Sequence, residues 1–246
     1  MIASLPMYDR EETRAAHDRL WALIRDALPG APDSLTRGTN LWDDWENPDL
    51  LLSQTCSLPY RAKLHDKVQL VGTPIHDLPC PPGTYYSVII AHSDDPRRNF
   101  ADFNHASLAI NDPLSQSGYA APQALAEQQK ITLKVTKETG SHQASFEAVA
   151  AGKADLAALD AVTWHLLTQH ALKPSVRIVT KTPPTPALPY ITGPGQDADL
   201  IHKTLANAIA ALTEEDRQTL CLKGLTRLPE SAYLDLPMPV QIDTLR

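Results

Sequence analysis

Two short runs hold the residue types that grip a small anion, Ser115-Gln116-Ser117-Gly118 and Thr139-Gly140-Ser141-His142. Hydroxyls and an imidazole each donate a hydrogen bond to an oxyanion, and glycine lets backbone amides come close. Both runs precede stretches with helical signals; after the second, Phe146, Val149 and Ala150 fall at helical spacing and Gly152 ends the helix. Each run therefore opens a helix, where the first backbone N–H groups have no intrahelical acceptor and the dipole favours negative charge. Asp160 closes the apolar run at 156–159 and adds a carboxylate that accepts a proton or an ammonium group from a ligand. An ordinary βαβ unit uses the same residues, with Ser141 as a helix cap and nothing more.

The same groups would suit catalysis, with His142 as general base and Asp160 as its partner. No nucleophile elbow, Walker loop, dinucleotide fingerprint or zinc-protease helix accompanies them. His165 and His170 lie five apart on a helical stretch and do not share a face, so a helix-borne metal pair is not expected. The sequence leaves binder and enzyme both open.

The elements that must carry these residues alternate between strand and helix, which argues βαβ topology and parallel sheets. Residues 2–5 read as a buried strand, followed by a turn holding Tyr8. Asp9 with Glu12 forms a capping-box-like start to a helix whose stripe is Ala16, Leu20, Leu23, Ile24, Ala27 and Leu28, stopped by Pro29-Gly30. Strands are expected at 50–54, 68–71, 83–92, 106–110, 131–135, 156–159 and 176–180, and helices at about 115–129, 141–151, 162–172, 197–212 and 214–222. The run at 83–92 is long for one strand and suits a crossing between lobes. Residues 182–194 carry five prolines, Pro183, Pro184, Pro186, Pro189 and Pro194, and read as a stiff return crossing, with Tyr190 at the mouth of a cleft. One lobe then comprises 1–88 and 185–246, and the other 89–184. The tail from 224 to 246 reads as a loop.

Length and composition agree with two small α/β lobes. The chain has 246 residues, 43% hydrophobic and 21% charged, enough to bury a core. A net charge of −7 argues against nucleic acid and anionic membranes as partners, and does not oppose a small anionic ligand held by local dipoles. The three cysteines are odd in number and widely spaced, so neither a disulfide framework nor a metal site is expected. No run is apolar and long enough to span a bilayer, and the first residues lack the pattern of an export signal, so as written the chain reads as cytoplasmic.

The run Thr139-Gly-Ser-His142 with Ser145, Glu147, Val149, Ala150, Gly152, Asp155, Ala157 and Asp160-Ala-Val-Thr-Trp164 resembles the phosphate- and phosphonate-type substrate-binding proteins of ABC transporters, in the type II periplasmic-binding-protein superfamily. The likeness extends from Pro6-Met7-Tyr8-Asp9 to about Tyr190. It implies two lobes, each a mostly parallel sheet flanked by helices, with a ligand cleft between them. Ser115, Ser117 and Gly118 match the family's phosphoryl-binding turn, and Gln54 and Thr55, with Cys56, match a ligand-facing loop. The resemblance thus implies a site of Tyr8, Gln54, Thr55, Ser115, Ser117, Gly118, Thr139, Ser141, His142, Asp160 and Tyr190 for phosphonate, phosphite or phosphate. No cofactor is implied, a monomer is expected, and an ABC permease is the implied partner. Two departures, the missing export signal and the short chain, bear on transport more than on binding; a removed signal would make the protein periplasmic. Two alternatives share the fold: a cytoplasmic enzyme acting on a small carboxylate, like the menaquinone-pathway lyases, and a ferric-ion binder using Tyr8, Tyr190 and a histidine.

Overall fold

A computed structural model describes residues 1–170 and 175–239. The chain divides into two compact units, the first made of Met1–Thr84 and Pro186–Leu236, the second of Tyr85–Thr185 with the described residues after Leu236.

The first unit is built on a five-stranded sheet of β1 (Ile2–Ser4), β2 (Leu50–Gln54), β3 (Gln69–His76), β11 (Tyr190–Thr192) and β12 (Leu222–Thr226), in the order β1-β2-β11-β3-β12. β1 and β2 are parallel, while β11 runs antiparallel to both its neighbours and β12 antiparallel to β3. Two amphipathic helices, Arg14–Arg25 and Ala198–Ala211, close the sheet. They bury Leu20, Trp21, Ile24, Ile201, Leu205 and Ile209 against Ala3, Leu52, Val71 and Leu222. Asp197 caps the second helix, its side chain accepting from the amides of Asp199 and Leu200.

The second unit is a five-stranded sheet of β5 (Ser87–His92), β6 (Ser107–Ile110), β7 (Lys134–Glu138), β8 (Leu156–Asp160) and β9 (Val176–Lys181), ordered β7-β6-β8-β5-β9. β6 is parallel to β7 and β8, and β5 antiparallel to β8 and β9. Every residue of β8 is buried, as expected of a central strand covered on both faces. The helices Ala121–Gln128, His142–Ala150 and Ala161–His170 follow β6, β7 and β8 in turn. Where the chain crosses between units lies a short ladder of β4 (Thr84–Tyr85) and β10 (Thr185–Pro186).

Several expected elements differ. The first helix starts at Arg14, not Asp9, and its N-cap Thr13 makes no capping bond into it. The Thr13 hydroxyl instead donates to the Tyr8 carbonyl at 2.5 Å and accepts from the Arg10 amide at 2.9 Å, closing a local turn. Leu23, on the expected apolar stripe, is 38% exposed, and Trp21 is buried in its place. The run at 83–92 is two strands interrupted at Tyr86, and the strand expected at 131–135 begins at Lys134, after a left-handed turn at Lys130 (φ 55°). The proline-rich return is not only a crossing, because its proline-free triplet Tyr190–Thr192 supplies a ladder strand inside the first sheet. The tail is not all loop, holding β12 and the short helix Ser231–Leu234. Part of the helix expected at 162–172 and the end of the tail lie outside the described residues.

Candidate functional site

In the second unit, the three parallel strands β6, β7 and β8 each run into a helix at their carboxyl ends, the arrangement that collects helix N-termini at one edge of a sheet. The loops after β6 and β7 are tied together. The amide and hydroxyl of Thr139 both donate to the Ile110 carbonyl, at 2.9 and 3.0 Å, and the Gly140 amide donates to the Asn111 carbonyl at 3.0 Å. Thr139 Oγ1 also lies 2.7 Å from Ser145 Oγ.

The serines divide by role. Ser115 Oγ accepts from the Gly118 amide at 2.9 Å and Ser141 Oγ from the Ala144 amide at 3.1 Å, so both cap their helices. Ser115 begins a wide turn, Gln116–Ala120, in which the Ala120 amide reaches back five residues to the Ser115 carbonyl at 3.0 Å. That turn presents the Ser117 side chain to the next helix, where its Oγ lies 2.9 Å from His142 Nε2. The Ser117 carbonyl is held by the Ser87 hydroxyl at 3.0 Å.

The same ring nitrogen faces Asp160. His142 Nε2 is 3.4 Å from Asp160 Oδ2, with side chains 14% and 5% exposed. Asp160 Oδ1 accepts from the Thr163 amide at 2.9 Å and so opens the helix Ala161–His170. Burial holds the His142 pKa below the ordinary histidine range, opposed by the Asp160 charge. The Ala158 backbone also favours the charged ring, yet Nδ1 makes no hydrogen bond within normal limits.

The Asp160 contact favours one tautomer. A carboxylate only accepts, so the neutral ring carries its hydrogen on Nε2, facing Asp160. Ser117 Oγ shares that hydrogen as an acceptor and keeps its own proton for another partner. In a nucleophilic triad the serine and the carboxylate use opposite ring nitrogens, and the one facing the serine must be unprotonated. Here both lie on the Nε2 side of the ring, which is not that arrangement.

Gly118 earns its place in a way its motif does not reveal. A Cβ there would lie 1.8 Å from Asn111 Oδ1 and 3.2 Å from His142 Cε1, so the missing side chain makes room for a carboxamide and an imidazole. Asn111 Oδ1 is buried without a hydrogen-bond partner. The one signal of Asn111 in the sequence is its position directly after β6, one step before Asp112-Pro113.

The remaining candidates sit in the first unit. Gln54 and Tyr190 are register partners on β2 and β11. The Gln54 side-chain amide donates to the Leu188 carbonyl at 3.1 Å, and its backbone carbonyl accepts from Trp45 Nε1 at 3.2 Å. Thr55 is fully buried, its amide bound to the Pro189 carbonyl at 3.1 Å. Tyr190 is 4% exposed in the apolar core, where burial pushes its phenol pKa up. Tyr8 packs edge-on against His76, ring centroids 5.6 Å apart. His76 Nδ1 in turn lies 3.0 Å from the Cys221 carbonyl. Among the described residues no group of three or more His, Cys, Asp or Glu side chains is placed to hold a metal ion, and no helix is long and apolar enough to cross a membrane.

A sequence profile described as "ABC transporter, phosphonate, periplasmic substrate-binding protein" matches residues 49–231. No curated protein sequence matches the chain significantly. Among solved structures, PhnD1 from Prochlorococcus marinus in complex with methylphosphonate is similar with a TM-score of 0.71 at 15% identity, over 95% of this chain and 94% of that one. A binding protein component of an ABC phosphonate transporter from Pseudomonas aeruginosa is similar with a TM-score of 0.70 at 14% identity, over 96% of this chain and 83% of that one. A chloride-bound Xanthomonas citri protein gives 0.66 at 12% identity, over 94% and 92%. At these identities the likeness is one of fold.

Proposed function

Because the chain belongs to the periplasmic substrate-binding proteins of phosphonate ABC transporters, we propose that it binds a small phosphorus oxyanion, a phosphonate, phosphite or phosphate, and catalyses nothing. The observation that carries this reading is the cluster at the carboxyl ends of β6, β7 and β8, where Ser117, His142 and Asp160 meet beside two helix N-termini. Ser117 has a hydroxyl proton to give, and the helix dipoles favour the negative charge it would meet. Asp160 opposes a bare dianion and favours a ligand that brings a proton or an ammonium group. The sharing of Nε2 speaks against acyl transfer through Ser117. An ABC permease is the partner that family membership suggests for the loaded protein.

The test is a thermal-shift screen with methylphosphonate, aminoalkylphosphonates, phosphite, phosphate, sulfate, ferric ion and aromatic carboxylates. A ligand bound only by the native state stabilises it by RT ln(1 + [L]/Kd), about 2.7 kcal/mol at a hundredfold excess over Kd. The expected result is a shift confined to phosphorus oxyanions. A shift with a carboxylate accompanied by its chemical conversion, or with ferric ion alone, overturns the reading.

A further inference from the structure

Two buried polar atoms in this cluster lack hydrogen-bond partners, His142 Nδ1 and Asn111 Oδ1. Their side chains converge on one spot, since Asn111 Oδ1 and His142 Cε1, the carbon bonded to Nδ1, are the near neighbours of the empty Cβ position at Gly118, at 1.8 and 3.2 Å. In the neutral tautomer described above, Nδ1 carries a lone pair, and so does an amide oxygen. Neither has a hydrogen to offer the other, and a buried acceptor left without a donor is costly. One added proton resolves both at once, because an imidazolium donates from each nitrogen.

We propose that Asn111 is a positioning residue for His142: when an oxyanion binds, the ring takes up a second proton from solvent at Nδ1, and the Asn111 side-chain carbonyl accepts it. The site thus makes its positive charge on demand. Ligand-free, the buried ring is neutral, as its lowered pKa requires; an arriving anion raises the pKa and draws the proton in. Asp160, on β8, is the charged group that acts on the ring, and it favours the same charged form. Ser117 on the turn after β6, Asn111 and the Ala158 backbone are uncharged.

The proposal rests on the oxyanion reading, and its test separates the two. The His142 Cε1–H resonance is titrated by NMR in the ligand-free and methylphosphonate-saturated protein, and binding heats are measured in buffers of different ionisation enthalpy. The pKa should rise on saturation with net proton uptake, and Asn111→Ala should lower the free and the bound pKa alike by about one unit, which costs up to about tenfold in affinity between them. The affinity deficit should be confined to the pH interval between the free and bound pKa values, since outside it the ring has the same charge in both states. The ligand's own titration is common to both proteins and cancels. Asn111→Asp, which keeps the shape and strengthens the acceptor, should raise the ligand-free pKa, and stands in if the alanine variant does not fold. An unchanged His142 pKa in both variants overturns the proposal. If neither methylphosphonate nor inorganic phosphate binds at all, the oxyanion reading fails, and the coupling to Asn111 is judged on the ligand-free pKa alone.

Discussion

Alanine at position 118 is expected to destabilise the second unit by about 1–3 kcal/mol, the range for forcing extra volume into a packed site. The added methyl would stand 1.8 Å from Asn111 Oδ1 and 3.0 Å from its Cγ, so the carboxamide has to leave. Its departure also frees the space against which the His142 ring is set. The loss is steric and not conformational, because Gly118 is not among the positive-φ glycines. Removing the obstruction should therefore restore much of the stability: in a double-mutant cycle, Gly118→Ala combined with Asn111→Ala is expected to lose less than the two single losses added together. Urea unfolding followed by the fluorescence of Trp164, the one tryptophan in the second unit, measures it. A Gly118→Ala protein as stable as the parent, or additive losses in the cycle, would show that Asn111 does not occupy that space.

Loss of the His142 ring should weaken oxyanion binding more than any other single truncation in the cluster. A hydrogen bond to a charged group is worth about 1.5–3 kcal/mol, roughly ten- to more than a hundredfold in Kd. His142→Ala removes such a group and also leaves Asp160, whose side chain is 5% exposed, without the ring it faces. That uncompensated carboxylate repels the ligand, so the effect should reach the upper end of the range. Ser117→Ala deletes one donor and spares the His142–Asp160 contact, so about tenfold is expected. Calorimetry with methylphosphonate at constant salt decides the order. If both variants bind as tightly as the parent, the site lies elsewhere.

What the sequence made legible follows from how locally each feature is encoded. The helix Ala198–Ala211 and the buried strand β8 announce themselves by periodicity or by an unbroken apolar run, signals contained within their own residues. β11 is three residues long between prolines, and only its neighbours in space, β2 and β3, make it a strand. β12 was hidden for the same reason, as its pairing partner β3 lies far away in sequence. In the site, the Ser and His types are readable, while the division of the serines between helix caps and the contact with His142 is not. Ser115 and Ser117 differ only in the direction in which a wide turn points them. Asn111 carries no further local signal, because the space it fills depends on what Gly118 lacks.

The place of β11 constrains the order in which the chain can become a protein. All strands of the second sheet come from one continuous stretch, 87–181, whereas the first sheet needs Tyr190–Thr192 between β2 and β3 before those two strands have a common neighbour. A ribosome delivers residues from the N-terminus, and contacts between distant segments form late. The nascent first unit can pair β1 with β2 and must leave the facing edges of β2 and β3 open while the whole second unit is made. A translation product halted near residue 185 would hold one complete sheet, its second, and behind it an N-terminal segment with three open strand edges, one on β2 and both on β3, waiting for two strands not yet synthesised.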